Sequence, residues 1–469
     1  MESQPKTFDI IVIGSGPGGY RSAILASQKG LCVAIIERGD WGGTCLNRGC
    51  IPTKALLKES LLWDAFVSSG LAGGNDQRGS YFRKAMERKE AAVSQVVSGL
   101  INLLNRDRIT LLQGEASLIT PLTVGVRRDG KTVEVRANHI VIASGAIPKE
   151  EPHFKRDGLS IMESDDLLKM TDLPSSLAIV GAGRRGVEFA VFFSSFGVEV
   201  TLIEKETRIL TKMDREISIR YKGLLSKRKI KVLTETEALA GETTGKDREV
   251  NLKILQKGKE EKLLFQKIAL VGNRRGNIDG LDLGRIPLAL KEGFIEVDTR
   301  MRTSVSGIFA AGDVVGKGFF AHKAFQEGKT AVENILGGEA SMDYRAVPTC
   351  LYSTPEAASI GLTEDEAKNE WGEVAVGKFP FMACGQSIAT GHPDGMVKII
   401  SEKRYGEVLG VHILGPHATE LIHLGVMAIK HEIGVEDITG SIFAHPTFSE
   451  AFYEAALDTS GEAIHMMKG

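Results

Sequence analysis

At 469 residues the chain is too long for one ordinary hydrophobic core, so several domains are expected. Its 58 basic and 60 acidic residues nearly cancel, which excludes a dedicated binder of nucleic acid or another polyanion. Five cysteines in such a length exclude a secreted disulfide framework, and no apolar run reaches the ~18 residues of a membrane span.

The opening Met1-Glu2-Ser3-Gln4-Pro5-Lys6 runs straight into a strand and leaves no room for a signal or transit peptide. The expectation is a soluble, cytoplasmic protein, in a reducing compartment where a disulfide is more often catalytic than structural. Phe8-Asp9-Ile10-Ile11-Val12-Ile13 reads as a buried parallel strand, a short β-branched run closed by glycines. Gly14-Ser15-Gly16-Pro17-Gly18-Gly19 follows, then a helix-compatible stretch to Lys29 and a second strand, Cys32 to Ile36, closing on Glu37. This is a dinucleotide fingerprint in its required context. Gly14 makes the turn, Gly16 lets backbone approach a pyrophosphate, Gly19 permits close helix packing, and Glu37 accepts from ribose hydroxyls.

The next stretch, Gly42-Gly43-Thr44-Cys45-Leu46-Asn47-Arg48-Gly49-Cys50-Ile51-Pro52-Thr53-Lys54, holds two cysteines separated by four residues. Those four, Gly49 among them, can curl into a turn or a first helical turn and bring the sulfurs together. On a helix begun at Cys50, Lys54 stands one turn on, and cation and helix N-terminus together favour a thiolate. Zinc would need further ligands at similar spacing, and Cys32, Cys350 and Cys384 are isolated, so no metal is expected. The pair reads as a redox-active disulfide.

Tyr81 to about Asn105 reads as helix, and His139 to Ala146 as a strand entering a small-residue turn. The fingerprint then returns. Leu177 to Val180 is a strand, Gly181-Ala182-Gly183-Arg184-Arg185-Gly186 the turn, and Val198 to Ile203 the next strand, ending at Glu204. Glu37 lies 23 residues after Gly14 and Glu204 lies 23 after Gly181, so the unit repeats in register. Two fingerprints imply two dinucleotides. A carboxylate at Glu204 repels a 2′-phosphate and favours NAD, although Lys205 and Lys212 stand nearby. Lys267 to Gly272 resembles the earlier strand and turn, and Gly307 to Asp313 ends a further strand with an acidic residue at its carboxyl edge, where ligands bind in open α/β sheets.

From about Val347 the pattern changes to an antiparallel layer, with strands at 396–400 and 408–414 and helices near 418–432 and 449–458. It contains His445-Pro446-Thr447-Phe448-Ser449-Glu450. A redox disulfide needs a base for the incoming dithiol, and Glu450 can fix the tautomer of His445. Of the other histidines only His322 is placed near a cofactor, and His465 falls in an expected tail.

From about residue 8 to 460 the chain resembles the flavin disulfide reductases and, within them, the dihydrolipoamide dehydrogenase (E3) family. The resemblance rests on GSGPGG (14–19), GGTCLNRGCIPTK (42–54), GAGRRGVE (181–188), IFAAGDV (308–314), AHKAFQEG (321–328), PEAASIGLTE (355–364) and HPTFSE (445–450). It implies an α/β fold with two Rossmann-like domains, for FAD and NAD, and a C-terminal α+β dimerisation domain. The FAD domain would be 1–149 with 277–345, the NAD domain 150–276 and the interface domain 346–469. It implies a homodimer in which His445 and Glu450 complete the partner's site. Cys45 would exchange with the substrate sulfur, and Cys50 would face the flavin as a thiolate. Lys54 would sit near the flavin and pair with Glu188, and Asp313 would bind the FAD ribityl chain. Gly14, Gly16, Gly19 and Glu37 would hold FAD; Gly181, Gly183, Gly186 and Glu204 would hold NAD.

The implied activity is oxidation of dihydrolipoyl groups on lipoyl-bearing proteins of 2-oxo acid dehydrogenase complexes or the glycine cleavage system, with hydride passed to NAD⁺. Competing readings are an NAD(P)H-dependent reductase of another low-molecular-weight disulfide and a flavoprotein subunit with weak turnover. Two features depart from the family: Arg184 and Arg185 stand where apolar residues are usual, and Asn273 and Gly276 replace a usual glycine and proline.

Overall fold

Short β-branched runs closed by glycine build both nucleotide-type sheets of this protein. The structure is a computed structural model and describes residues 6–70, 74–245 and 248–466, except the side chains of 74–76. It divides into two compact units.

The first unit comprises Met1–Ala55, Ala85–Glu150 and Asn273–Asp343. Its sheet runs in the order Thr110–Gln113, Val33–Glu37, Lys6–Ile13, Lys131–Ile142, Thr123–Arg128, Glu115–Thr120, and Ile308–Ala310 also pairs with Lys131–Ile142. The pairings around Lys6–Ile13 are parallel, while the last two strands fold back as an antiparallel meander. Ile10, Ile11 and Val12 are wholly buried, as a parallel strand covered on both faces requires. The helix Pro17–Gln28 begins with proline at its first turn, a position where no N–H is missed. The helix Ala321–Ile335 packs on it so closely that a Cβ at Gly328 would lie 2.6 Å from the Gly18 carbonyl oxygen.

The second unit comprises Leu56–Lys84, Glu151–Gly272 and Tyr344–Gly469. Its parallel sheet has the order Lys231–Leu233, Glu199–Ile203, Ser176–Val180, Lys267–Leu270, Ile161–Glu163. An antiparallel three-stranded sheet, Thr236–Thr244, Glu249–Gln256 and Lys259–Phe265, accompanies it. A separate antiparallel sheet is ordered Thr349–Leu351, Glu356–Gly361, Val408–Gly415, Met396–Glu402, Val374–Pro380. The helices Ala418–Lys430 and Glu450–Asp458 cover it, with Val397, Ile399, Val411 and Ile413 fully buried beneath.

One inward position of that sheet is charged. Lys398, 2% exposed, meets Asp214 at 3.0 Å and Glu364 at 2.7 Å. Asp214 caps the helix Arg215–Lys227 and Glu364 opens the helix Glu364–Trp371, so both acids also oppose helix N-terminal dipoles. A buried lysine is tolerable only with such compensation.

The α/β architecture expected from the sequence is the observed one, and most elements fall within two residues of expectation. The helix read as 81–105 is part of a longer one, Gly74–Arg106. Its added start, residues 74–80, holds no large apolar residue, so the apolar stripe that marks the rest of the helix is not legible there. The strand read as 139–146 begins earlier, as Lys131–Ile142, because its first half pairs in the exposed meander, where polar residues suffice.

Candidate active site

The two fingerprints fold alike down to individual atoms. Gly14 (φ 98°) and Gly181 (φ 108°) turn the chain out of the strand in the left-handed region. A Cβ on Gly19 would lie 1.8 Å from the Gly14 oxygen, and one on Gly186 would lie 1.9 Å from the Gly181 oxygen. Only glycine lets helix and strand approach so closely. At the middle glycines, Gly16 and Gly183, a Cβ would meet nothing within 4 Å. Each is the N-cap of its helix and faces open space, so the helix N–H groups are presented to whatever enters. Those two cradles fit the pyrophosphates of FAD and NAD.

The acidic residues repeat as well. Glu37 accepts from the Ser15 amide at 2.9 Å, and Glu204 accepts from the Ala182 amide at 2.8 Å. Each carboxylate also takes the amide two residues on, Gly39 at 2.8 Å and Glu206 at 3.1 Å. Both acids are thereby fixed at their strand ends beside the glycine turn, where ribose hydroxyls of a dinucleotide would lie.

Ser15, which sequence reasoning passed over, ties the first fingerprint to the cysteines. Its hydroxyl donates to Glu37 at 2.7 Å and accepts from the Gly42 amide at 2.9 Å. The short helix Gly43–Arg48 starts there, and a Cβ on Gly43 would lie 2.8 Å from the Gly16 Cα. Gly43 is thus required by contact with the pyrophosphate turn, and Gly42 by its left-handed backbone (φ 94°) and by the Leu46 side chain that a Cβ would strike. Cys45 sits in this short helix; the chain breaks at Gly49 and restarts at Cys50 as the helix Cys50–Ser68. Cys50 is therefore at a helix N-terminus, as expected, and Lys54 follows one turn on.

Cys45 and Cys50 are hydrogen-bonded, and that bond, burial and the negative charge of Cys50 push the Cys45 thiol well up, with Lys54 opposing. Cys50, at the N-terminus of its helix, is the sulfur whose thiolate the helix dipole favours. Tyr20, another residue unmarked in the sequence, is near enough for both sulfurs to raise its phenol, after burial, which is the larger cause.

Asp313 opens the turn Asp313–Val315 directly beyond the strand Ile308–Ala310. His322 is exposed on the first turn of the helix Ala321–Ile335, with its ring 5.2 Å from that of Phe320. In the second unit Glu188 is 2% exposed and accepts from the Tyr352 amide at 3.0 Å. Arg184, one turn earlier, donates to the Cys350 carbonyl at 3.0 Å. Together they close the outer edge of the strand Thr349–Leu351, doing with side chains what a further strand would do with backbone. Arg185 reaches the Ser164 hydroxyl at 3.5 Å. The other departures have local reasons. The Gly276 amide donates to the Gly293 carbonyl at 3.1 Å, a bond proline cannot make, and a Cβ there would lie 2.6 Å from that oxygen. Asn273 is engaged through its own carbonyl, which accepts from the Lys149 amide at 2.9 Å.

His445 Nδ1 lies 2.7 Å from Glu450 Oε1, and the Thr447 amide donates to Glu450 Oε2 at 2.8 Å. Burial raises the Glu450 carboxyl, but the His445 bond and the Thr447 amide outweigh it and hold it below its usual range. Nδ1 is engaged by Glu450, Nε2 is the other ring nitrogen, and the side chain is 78% exposed. Ile442, Met382, Ile388 and Met427 are also exposed apolar residues of this C-terminal part. His465, read as tail, in fact pairs with Glu454 at 2.7 Å, one helical turn from Glu450. Among the described residues no group of three His, Cys, Asp or Glu side chains could hold a metal, and no helix is long and apolar enough to cross a membrane.

Comparison with known proteins agrees with this geometry. Residues 8–328 match the model of the pyridine nucleotide-disulphide oxidoreductases and residues 347–456 that of their dimerisation domain. The chain is 37% identical to a dihydrolipoyl dehydrogenase of Bacillus subtilis, across 98% of this chain and 99% of that protein. It is 36% identical to a leghemoglobin reductase of Glycine max, across 96% of this chain and 87% of that protein. Among solved structures, an HOCl-induced flavoprotein disulfide reductase of Escherichia coli superposes with a TM-score of 0.86 at 25% identity, covering 96% of this chain and 99% of that one. The chain belongs to the pyridine nucleotide-disulphide oxidoreductase family, as a dimer-forming oxidoreductase that uses FAD and NAD(H).

Proposed function

We propose that the protein is a dihydrolipoamide dehydrogenase, oxidising dihydrolipoyl groups to the cyclic disulfide and passing two electrons to NAD⁺ with release of one proton. The observation that carries this reading is the Cys45–Cys50 pair on a helix N-terminus against the first fingerprint, together with the His445–Glu450 dyad. His445 Nε2 takes a proton from one substrate thiol, and Glu450 keeps the imidazole in the Nδ1–H tautomer. The substrate thiolate attacks Cys45 of the oxidised pair; the Cys45–Cys50 bond breaks and Cys50 leaves as thiolate. The second substrate thiol gives up its proton to solvent as its sulfur attacks the first, closing the lipoyl ring, and Cys45 leaves and takes up the proton held on His445. FAD, when bound, supplies two-electron transfer between this dithiol and the nicotinamide.

In this reading residues 1–149 with 277–345 hold FAD, 150–276 hold NAD, and 346–469 form the dimer. Gly14, Gly16, Gly19, Glu37, Asp313 and His322 serve the first cofactor, and Gly181, Gly183, Gly186 and Glu204 the second. The exposure of His445 fits a dyad that completes the site of the other protomer. Lipoyl domains of 2-oxo acid dehydrogenase complexes or of the glycine cleavage system are the partners, and the cytoplasm is the compartment. The test is steady-state turnover of the holoenzyme. Dihydrolipoamide with NAD⁺ should exceed glutathione with NAD⁺, and NADH-driven reduction of lipoamide should exceed that of glutathione disulfide, by at least a hundredfold. Equal rates on the two disulfides would overturn the assignment of substrate.

A further inference from the structure

The helix Ala321–Ile335 carries an ion pair that the dithiol chemistry does not use. Lys323 and Glu327 stand one turn apart with side chains 0% exposed, Nζ lying 3.0 Å from Oε1 and 3.1 Å from Oε2. Both also reach into the turn Asp313–Val315. Lys323 Nζ donates to the Gly316 carbonyl at 2.8 Å and to the Gly312 carbonyl at 3.4 Å, while Glu327 Oε2 accepts from the Gly312 amide at 2.7 Å. The turn is bounded by two glycines of positive φ, Gly312 at 86° and Gly316 at 70°. It is held from below at both ends by one pair of charges.

Stability alone does not account for this arrangement. Desolvating two charges costs about what their attraction returns, and well-packed apolar residues commonly serve a core as well or better. What apolar residues cannot do is satisfy two carbonyls and an amide at once, at the ends of a short turn whose glycines allow many other shapes. The same helix also bears on the first fingerprint, since the Ser22 hydroxyl donates to both the Gly18 and Gly328 carbonyls, at 2.7 and 3.2 Å. The charged pair thus links the Asp313 turn to the pyrophosphate turn through one rigid element.

We propose that Lys323 and Glu327 are positioning residues for FAD: they fix the Asp313 turn in the shape that receives the cofactor, and without them the turn loses that shape while the core persists. This rests on the reading that Asp313 meets the flavin side of the dinucleotide. The experiment dilutes holoenzyme stepwise and follows released flavin fluorescence and far-UV circular dichroism in the same samples. It compares the wild type, Asp313→Asn, Glu327→Gln and the Lys323→Met/Glu327→Leu double variant. The double variant is expected to release FAD at least tenfold more readily while its circular dichroism stays native. Wild-type FAD retention in the double variant overturns the proposal, and so does flavin release that only tracks loss of circular dichroism, which marks a structural role. Should the double variant fail to fold, Glu327→Gln decides. It keeps an acceptor for the Gly312 amide but not the charge; weakened FAD retention in a folded protein supports the pair, and unchanged retention overturns it. Asp313→Asn separates the underlying reading: if it alone leaves FAD retention unchanged, the role given to Asp313 fails, whatever the pair variants do.

Discussion

Replacing Glu450 with Gln isolates what the carboxylate contributes to the base. The 2.7 Å Nδ1···Oε1 contact is a charge-assisted hydrogen bond, and Glu450 is ionised throughout the neutral range because its carboxyl titrates below its ordinary value. A glutamine oxygen still accepts from Nδ1, so the tautomer survives, but the stabilisation of the imidazolium is lost. Hydrogen bonds to charged groups contribute ~1.5–3 kcal/mol and neutral ones ~0.5–1.5, so the substitution forfeits about 1–1.5 kcal/mol. At ~1.36 kcal/mol per tenfold in rate, turnover of dihydrolipoamide should fall roughly tenfold. His445→Ala, which removes the base altogether, should cost ~10²–10⁴-fold. Stopped-flow measurement of the two half-reactions provides the assay. Reduction by dihydrolipoamide should carry the whole loss and reduction by NADH should be unchanged. A similar loss in both half-reactions, or an undiminished dithiol half-reaction in His445→Ala, would refute the assignment of His445 as base.

The two sulfurs should behave differently. Cys45→Ser should show long-wavelength absorbance without any reductant, whereas Cys50→Ser should never show it, and the reverse pattern would exchange their roles. Arg184→Val gives up the bond to the Cys350 carbonyl and removes a cation from the nucleotide-side helix; titration of the holoenzyme should show tighter NAD⁺ binding, with the NADH-over-NAD⁺ preference falling several-fold, and an unchanged preference would mean that Arg184 only braces the strand. Glu364 is raised by burial but lowered further by Lys368 and Lys398, to about 2 from 4.5. Its folded value is the depressed one, so its contribution to stability is complete above about pH 4.5 and is lost as pH falls toward 2. Lys398→Met should flatten that acid limb in urea titrations and, by leaving Asp214 buried and uncompensated, cost about 3–5 kcal/mol at neutral pH; a loss under 1 kcal/mol would show that the cluster tolerates the missing cation.

The sequence by itself determined the paired fingerprints, because their requirements are local. A positive φ at Gly14 and Gly181, a close approach at Gly19 and Gly186, and an acid 23 residues beyond the turn are all legible as residue type at fixed spacing. The dithiol was legible for the same reason: Gly49 breaks one helix, Cys50 begins the next, and Lys54 falls one turn along it. The tertiary structure alone decided what distant segments do to one another. Ser15 meets Gly42, Arg184 spends its guanidinium on Cys350, Gly276 needs its amide for Gly293, and His465 finds Glu454. Lys323 and Glu327 showed the same limit most plainly. Their spacing of four residues fits any helical ion pair, exposed or not, and only the packing of their helix reveals that both are buried beneath the Asp313 turn. Periodicity reports which face of an element is apolar; it carries no information about which backbone carbonyl outside that element will be left for a buried charge to satisfy.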